Sequence, residues 1–138
     1  MADARTILLV EDEPIIAELY RAVLATRDYD VVTAFNKQSA LTLIQERTPR
    51  VVLLDLMIPL GPGESLVTYD HPVGFDILEW MHHHAAYKSI PVMVVTNLES
   101  DQFRKHAESL GIAGYFVKAN LDPKDLLRHV DSIAQNRK

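Results

Sequence analysis

The chain has no cysteine, which excludes disulfides, thiolate metal ligands and a cysteine nucleophile, and suits a reducing compartment without requiring one. It also lacks a long apolar run. Stretches such as Val51–Leu54 fall far short of the roughly 20 residues a membrane-spanning helix needs. The start, Met1-Ala2-Asp3-Ala4-Arg5, enters a short apolar run that soon meets Glu11-Asp12-Glu13, which is the pattern of neither a signal peptide nor an anchor. Excess positive charge is missing too. With 14 Lys+Arg against 19 Asp+Glu the formal net charge is −5, which argues against general affinity for nucleic acid or anionic membrane. No repeat, low-complexity tract or linker to a second domain is present. What remains is ordinary for a soluble globular protein: 48% hydrophobic and 24% charged residues over 138 positions, enough for one domain with a real core. The cytoplasm is the default location.

The apolar residues come in two patterns. Ile7–Val10, Val51–Leu54 and Val92–Val95 are unbroken runs, as expected of strands buried on both faces of a parallel sheet. Val31–Ala34 and Tyr115–Val117 are shorter and suit its edges. Between them the spacing turns helical. Ile15, Ile16, Leu19, Val23 and Leu24 share one face after Pro14, which takes a favoured first-turn position. Ala40, Leu41, Leu43 and Ile44 mark a second helix, Phe75, Ile77, Leu78 and Met81 a third. Phe103, Ala107 and Leu110 mark a weaker fourth, stopped by Gly111. The fifth is capped by Asp122 and carries Leu126, Leu127, Val130 and Ile133. Five β-α units predict a flavodoxin-like (βα)5 doubly wound α/β fold with a five-stranded parallel sheet in the order 2-1-3-4-5. One stretch exceeds that minimum. Residues 60–73 lengthen the connection after the third strand, whereas most βα connections run about 2–6 residues. Gly61, Pro62, Gly63 and Pro72 mark it as loop, with a short strand or turn open at Ser65–Tyr69.

That strand order makes strands 1 and 3 neighbours, so Glu11, Asp12 and Asp55 converge at their carboxyl ends, with Thr96 and Lys118 on the same rim. Packed carboxylates repel unless a cation intervenes, and hard oxygen ligands suit Mg²⁺, which keeps waters and phosphate oxygens as its other ligands. No Ser-His pair suggests peptide hydrolysis. The set fits phosphoryl transfer, in which a carboxylate attacks phosphorus while metal, ammonium and hydroxyl hold the oxygens. A lone aspartate after a strand is ordinarily a loop or capping residue. The ordered set is what outweighs that reading here.

These residues resemble the receiver domain of two-component response regulators, including the chemotaxis response regulator. The matching text is Ile7-Leu-Leu-Val-Glu-Asp-Glu-Pro14, Val51-Val-Leu-Leu-Asp-Leu-Met-Ile-Pro59, Gly74-Phe-Asp-Ile-Leu78, Pro91-Val-Met-Val-Val-Thr96 and Gly114-Tyr-Phe-Val-Lys118. The resemblance implies that Asp55 accepts a phosphoryl group from a sensor histidine kinase or a histidine phosphotransfer protein. It implies Mg²⁺ held by Asp12, Asp55 and the Met57 carbonyl, with Glu11 acting largely through water. Thr96 and Lys118 match the residues that contact the phosphoryl group, and Thr96 and Tyr115 match the switch pair. An output surface is implied over about residues 98–136. The expected protein is a stand-alone receiver that promotes only its own phosphorylation and dephosphorylation. Its output is a protein contact, to a downstream target or a second copy of itself, and not DNA. Two rivals differ in class. A non-phosphorylated scaffold usually lacks part of the acidic set, and an aspartyl phosphatase of the haloacid dehalogenase type needs an Asp-x-Asp that Asp55-Leu56-Met57 does not provide.

Departures from the family are the long connection, Ala119 where proline commonly follows the lysine, and Asn97 where a small residue usually follows the threonine. Ala119 predicts a trans bond, since a cis bond without proline costs about 2.5–4 kcal/mol. Asn97 predicts narrower access to the acyl phosphate, and the long connection a lid or partner contact. His82-His83-His84 does not predict zinc, because successive helical side chains point about 100° apart; a solvated helix end is expected. His71 is expected to be an exposed loop residue with the phosphorylation pocket as the alternative, and His106 and His129 are expected at the surface.

Overall fold

The computed structural model describes residues 3–63 and 71–136. Strand β1 (Asp3–Val10) leads through α1 (Pro14–Ala25) to β2 (Asp30–Ala34), and α2 (Lys37–Arg47) returns the chain to β3 (Pro49–Leu54). Then follow α3 (Gly74–His82), β4 (Val92–Thr96), α4 (Asp101–Ser109), β5 (Gly114–Val117) and α5 (Pro123–Asn136). All pairings are parallel and the order is β2-β1-β3-β4-β5. The doubly wound fold is thus as expected, with the two short runs at the edges.

Side chains alternate across a strand, so each central strand feeds two cores. Leu8, Val10, Val52, Leu54, Val92 and Val94 pack with Ala40 and Ile44 of α2 and Phe75 and Ile77 of α3. Ile7, Leu9, Val51, Leu53, Met93 and Val95 face the other way, onto Ala17, Tyr20 and Leu24 of α1 and Leu126 and Val130 of α5. Full burial of such a side chain is worth about 1.5–3 kcal/mol, so both layers hold the sheet firmly.

The helix signals act as read. Pro14 opens α1 and Gly111 follows α4 with φ +80°, while the cap of α4, Ser100 accepting the Phe103 N–H, has no counterpart in the sequence reading. Asp122 Oδ1 accepts the Lys124 N–H at 2.8 Å, ahead of α5. One strand, β1, runs furthest beyond its apolar core. β1 begins at Asp3 because Asp3 pairs with Pro49 before a register irregularity, a stretch that polar residues conceal from a hydrophobicity reading. Ser65–Tyr69 lies outside the described residues.

Candidate functional site

Main-chain rungs bring the acids together. The Glu11 N–H donates to Ala34 O of β2 and the Asp55 N–H to Val10 O of β1, both at 3.0 Å, so each backbone is fixed just past the end of its strand. Beyond Asp55 the helix α3 comes very close. The Gly74 N–H donates to Leu56 O at 2.9 Å. A Cβ on Gly74 would lie 2.5 Å from Leu56 Cα and 2.8 Å from Asp55 O, so only glycine lets α3 seat there.

Glu11, Asp12 and Asp55 each offer a carboxylate oxygen within 4.8 Å of the others. Lys118, on the single 3-10 turn Lys118–Asn120 after β5, places Nζ 2.6 Å from Glu11 Oε2 and 2.6 Å from Asp55 Oδ2. These side chains are buried: 2% of Glu11, 5% of Asp55 and 10% of Lys118 is exposed. Asp55 Oδ1 accepts the Met57 N–H at 3.0 Å, so the carboxylate is oriented from both sides. Glu11 Oε1 accepts the Glu13 N–H at 3.2 Å, yet no side chain caps α1 at Glu13.

One ammonium faces three carboxylates, and the charges show it. Burial, reinforced by the neighbouring Asp55, pushes both Glu11 and Asp12 above the usual carboxylic range. Burial works against the Lys118 charge, but Asp55 and Glu11 outweigh it and raise its pKa, so the ammonium stays protonated. Excess buried negative charge with oxygen-only donors fits a hard divalent cation. Asp12, Asp55 and Met57 line the same open cleft of about 350 Å³, together with Asn97, Leu98 and Lys118.

The β4–β5 side of the rim is arranged by side chains. Thr96 is fully buried, and its Oγ1 accepts the Leu98 N–H at 3.3 Å. Tyr115 is buried with its hydroxyl donating to Leu98 O at 2.6 Å, and the Arg104 guanidinium of α4 lies 4.6 Å from its ring centre. Burial raises the Tyr115 pKa, so the phenol keeps its proton. The Ala119 N–H donates to Asn97 Oδ1 at 3.2 Å, and no described peptide bond is cis.

The structure thus gathers Glu11, Asp12, Asp55, Met57, Thr96 and Lys118 at one rim, with Tyr115 behind the β4–α4 loop. His71 is elsewhere: it is exposed and bonded to Asp76 Oδ1 at 2.8 Å, while Asp76 Oδ2 takes the Lys37 ammonium at 3.1 Å. His82, His83 and His84 close α3 without converging, and His84 Nδ1 meets Trp80 O at 2.6 Å. His106 is exposed but stacks near Phe75, and His129 is half-buried against Phe116, tighter than a free surface residue. Sequence reasoning did not foresee Gly74's close approach, the Leu98 carbonyl or the Asn97–Ala119 bond. Only the glycine at a helix start left a signal.

A family model described as the response regulator receiver domain matches residues 7–131. The phosphate regulon transcriptional regulatory protein PhoB of Klebsiella pneumoniae is 28% identical over 130 residues, covering 94% of this chain and 52% of that protein. The chain spans about half the length of the curated relatives it matches. Among solved structures, the non-phosphorylated HemR receiver domain of Leptospira biflexa aligns with a TM-score of 0.79 and 26% identity, over 96% of both chains. The BeF3-activated N-terminal receiver domain of Klebsiella pneumoniae RstA gives 0.72 and 26%, over 95% of this chain and 99% of that one.

Proposed function

Because this chain belongs to the response regulator receiver family, we propose that it is phosphorylated on Asp55 by a phosphohistidine donor and that the acyl phosphate changes which protein it binds. One observation carries the assignment to Asp55: its carboxylate lines the open cleft while meeting Lys118 at 2.6 Å, with Glu11 and Asp12 beside it. An Asp55 carboxylate oxygen attacks phosphorus as the P–N bond to the donor imidazole breaks; the electron pair leaves with that nitrogen, which takes a proton. Met57 N–H holds Oδ1 in place, and the Lys118 ammonium, freed from Oδ2, turns to the incoming phosphoryl oxygens. Thr96 Oγ1 supplies a hydroxyl to the same oxygens. Asp12, Asp55 and the Met57 carbonyl would hold Mg²⁺, with Glu11 reaching it through water. Held there, it would supply positive charge against the charge that builds on the transferred group.

The chain acts on itself alone and not on a turned-over substrate. Its donor is a sensor histidine kinase or a histidine phosphotransfer protein, in the cytoplasm. The exposed α1 side chains Ile15 (84%) and Leu19 (44%) support docking of such a donor beside the cleft. No helix among the described residues is long and apolar enough to cross a membrane. Tyr115 and Thr96 relay the change to the α4–β5–α5 face, where a downstream protein or a second copy binds. The complete acidic set disfavours the scaffold reading, and Leu56-Met57 after Asp55 gives no support to a phosphatase.

Intact mass after incubation with Mg²⁺ and acetyl phosphate, followed by phosphohistidine donors, tests this. One phosphoryl group should add to the wild type, and none without Mg²⁺ or in Asp55→Asn. Measurable Mg²⁺ binding with no adduct from any donor would favour the scaffold instead.

A further inference from the structure

The parallel ladder between β4 and β5 ends at the pair Thr96–Val117. Just past it, the chain turns away on both sides, into the loop before α4 and the turn that carries Lys118. Among the described residues a single direct hydrogen bond joins residues 97–100 to 118–122: Ala119 N–H to Asn97 Oδ1, at 3.2 Å. The Asn97 carboxamide thus supplies one more rung where the backbone can no longer do so. Its neighbours make the position consequential. Asn97 follows Thr96, whose hydroxyl accepts from Leu98, and Ala119 follows Lys118, whose ammonium sits between Glu11 and Asp55. Asn97 also lines both the acidic cleft and the adjoining groove along α1.

We propose that Asn97 is a positioning residue for Lys118: through the Ala119 N–H it ties the lysine turn to the threonine loop, so that ammonium and hydroxyl reach the phosphoryl group together. This role rests on Asp55 being the phosphoacceptor. It differs from a steric role for Asn97 at the cleft mouth, because it depends on an acceptor atom and not on size. A neutral hydrogen bond contributes about 0.5–1.5 kcal/mol net, so losing it slows a step that depends on it by about two- to tenfold.

Asn97→Leu keeps the bulk and removes the acceptor, Asn97→Ala removes both, and Ala119→Pro removes the donor. The rate of phosphoryl transfer to Asp55 at saturating donor should fall about two- to tenfold in each, with half-saturating donor concentration unchanged. The double variant Asn97→Leu/Ala119→Pro should be no slower than its slower parent. Amide exchange at Ala119 should be protected in the wild type and fast in Asn97→Leu, a reading that needs no phosphorylation and stands even if the proline variant misfolds. Wild-type transfer in Asn97→Leu with faster transfer in Asn97→Ala would overturn the tether in favour of a size effect, as would an unprotected Ala119 amide. A wild-type chain with a protected Ala119 amide but no adduct on Asp55 from any donor overturns the phosphoacceptor reading, and this role with it, while leaving the bond itself established.

Discussion

The two halves of the sheet's carboxyl rim are built by different means. On the β1–β3 side the functional groups hang from main chain that is itself pinned: Glu11 to β2, Asp55 to β1, and α3 against Leu56 through Gly74. On the β4–β5 side the ladder stops at Thr96–Val117, and beyond it single side-chain bonds set the arrangement, Leu98 to Thr96, Tyr115 to Leu98 and Ala119 to Asn97. Main-chain rungs between buried strands open only with the sheet, whereas one side-chain bond can be exchanged for another at a cost of about 0.5–1.5 kcal/mol. The acids are therefore held in place by main chain, and on the proposed function the hydroxyl, phenol and ammonium are the half that rearranges on phosphorylation.

Breaking the fixed half should have the larger effects. Gly74→Ala drives a methyl into Leu56 Cα and Asp55 O, backbone that cannot swing aside. We expect a loss of about 3 kcal/mol in urea unfolding, at the high end for overpacking, together with slower phosphorylation because Asp55 moves. Unchanged stability would mean that α3 is not seated as described. Next come the acids. Since Glu11 and Asp12 are raised by burial, they contribute stability below their unfolded values, and that contribution is lost as pH rises through the folded ones. The metal-free chain should therefore melt higher on mild acidification from neutral pH, and Asp12→Asn should keep that gain at pH 7, reduced by the solvent that screens this partly exposed carboxylate. Mg²⁺ should stabilise the wild type and do so much less in the variant. A variant that melts lower without metal would contradict mutual repulsion. The smallest effect belongs to the movable half. Tyr115→Phe loses one bond to Leu98 O, about 1 kcal/mol at most in thermal melts, with phosphorylation of Asp55 intact and partner binding altered. Partner binding equal in both phosphorylated proteins would remove the phenol from the relay.

The same contrast explains what could be read from the sequence. Strands buried on both faces appear as unbroken apolar runs, and the residues where those runs stop, Glu11, Asp55, Thr96 and Lys118, are the rim. Topology then brings them together with no further information. The movable half was legible only as residue types. Asn97 meets Ala119 across 22 positions, and no local pattern encodes a carboxamide accepting from a distant amide. Tyr115 reads as a strand aromatic whichever way its hydroxyl points. The early part of β1 was hidden for another reason: Arg5 and Thr6 are polar in a strand whose rungs do not depend on hydropathy.

The long connection between β3 and α3 leaves and returns through anchored ends. Pro59 O and Leu60 O accept the N–H groups of Lys37 and Gln38 at the start of α2, and on the return His71 meets Asp76, which also holds Lys37. Both described ends are thus moored to the α2–α3 flank and not to the acids. Closing a longer loop costs only about 0.6 kcal/mol for each doubling. Length added between Gly63 and His71 should therefore load that flank first, and a peptide tag grafted there is expected to leave the melting temperature and Mg²⁺ binding unchanged.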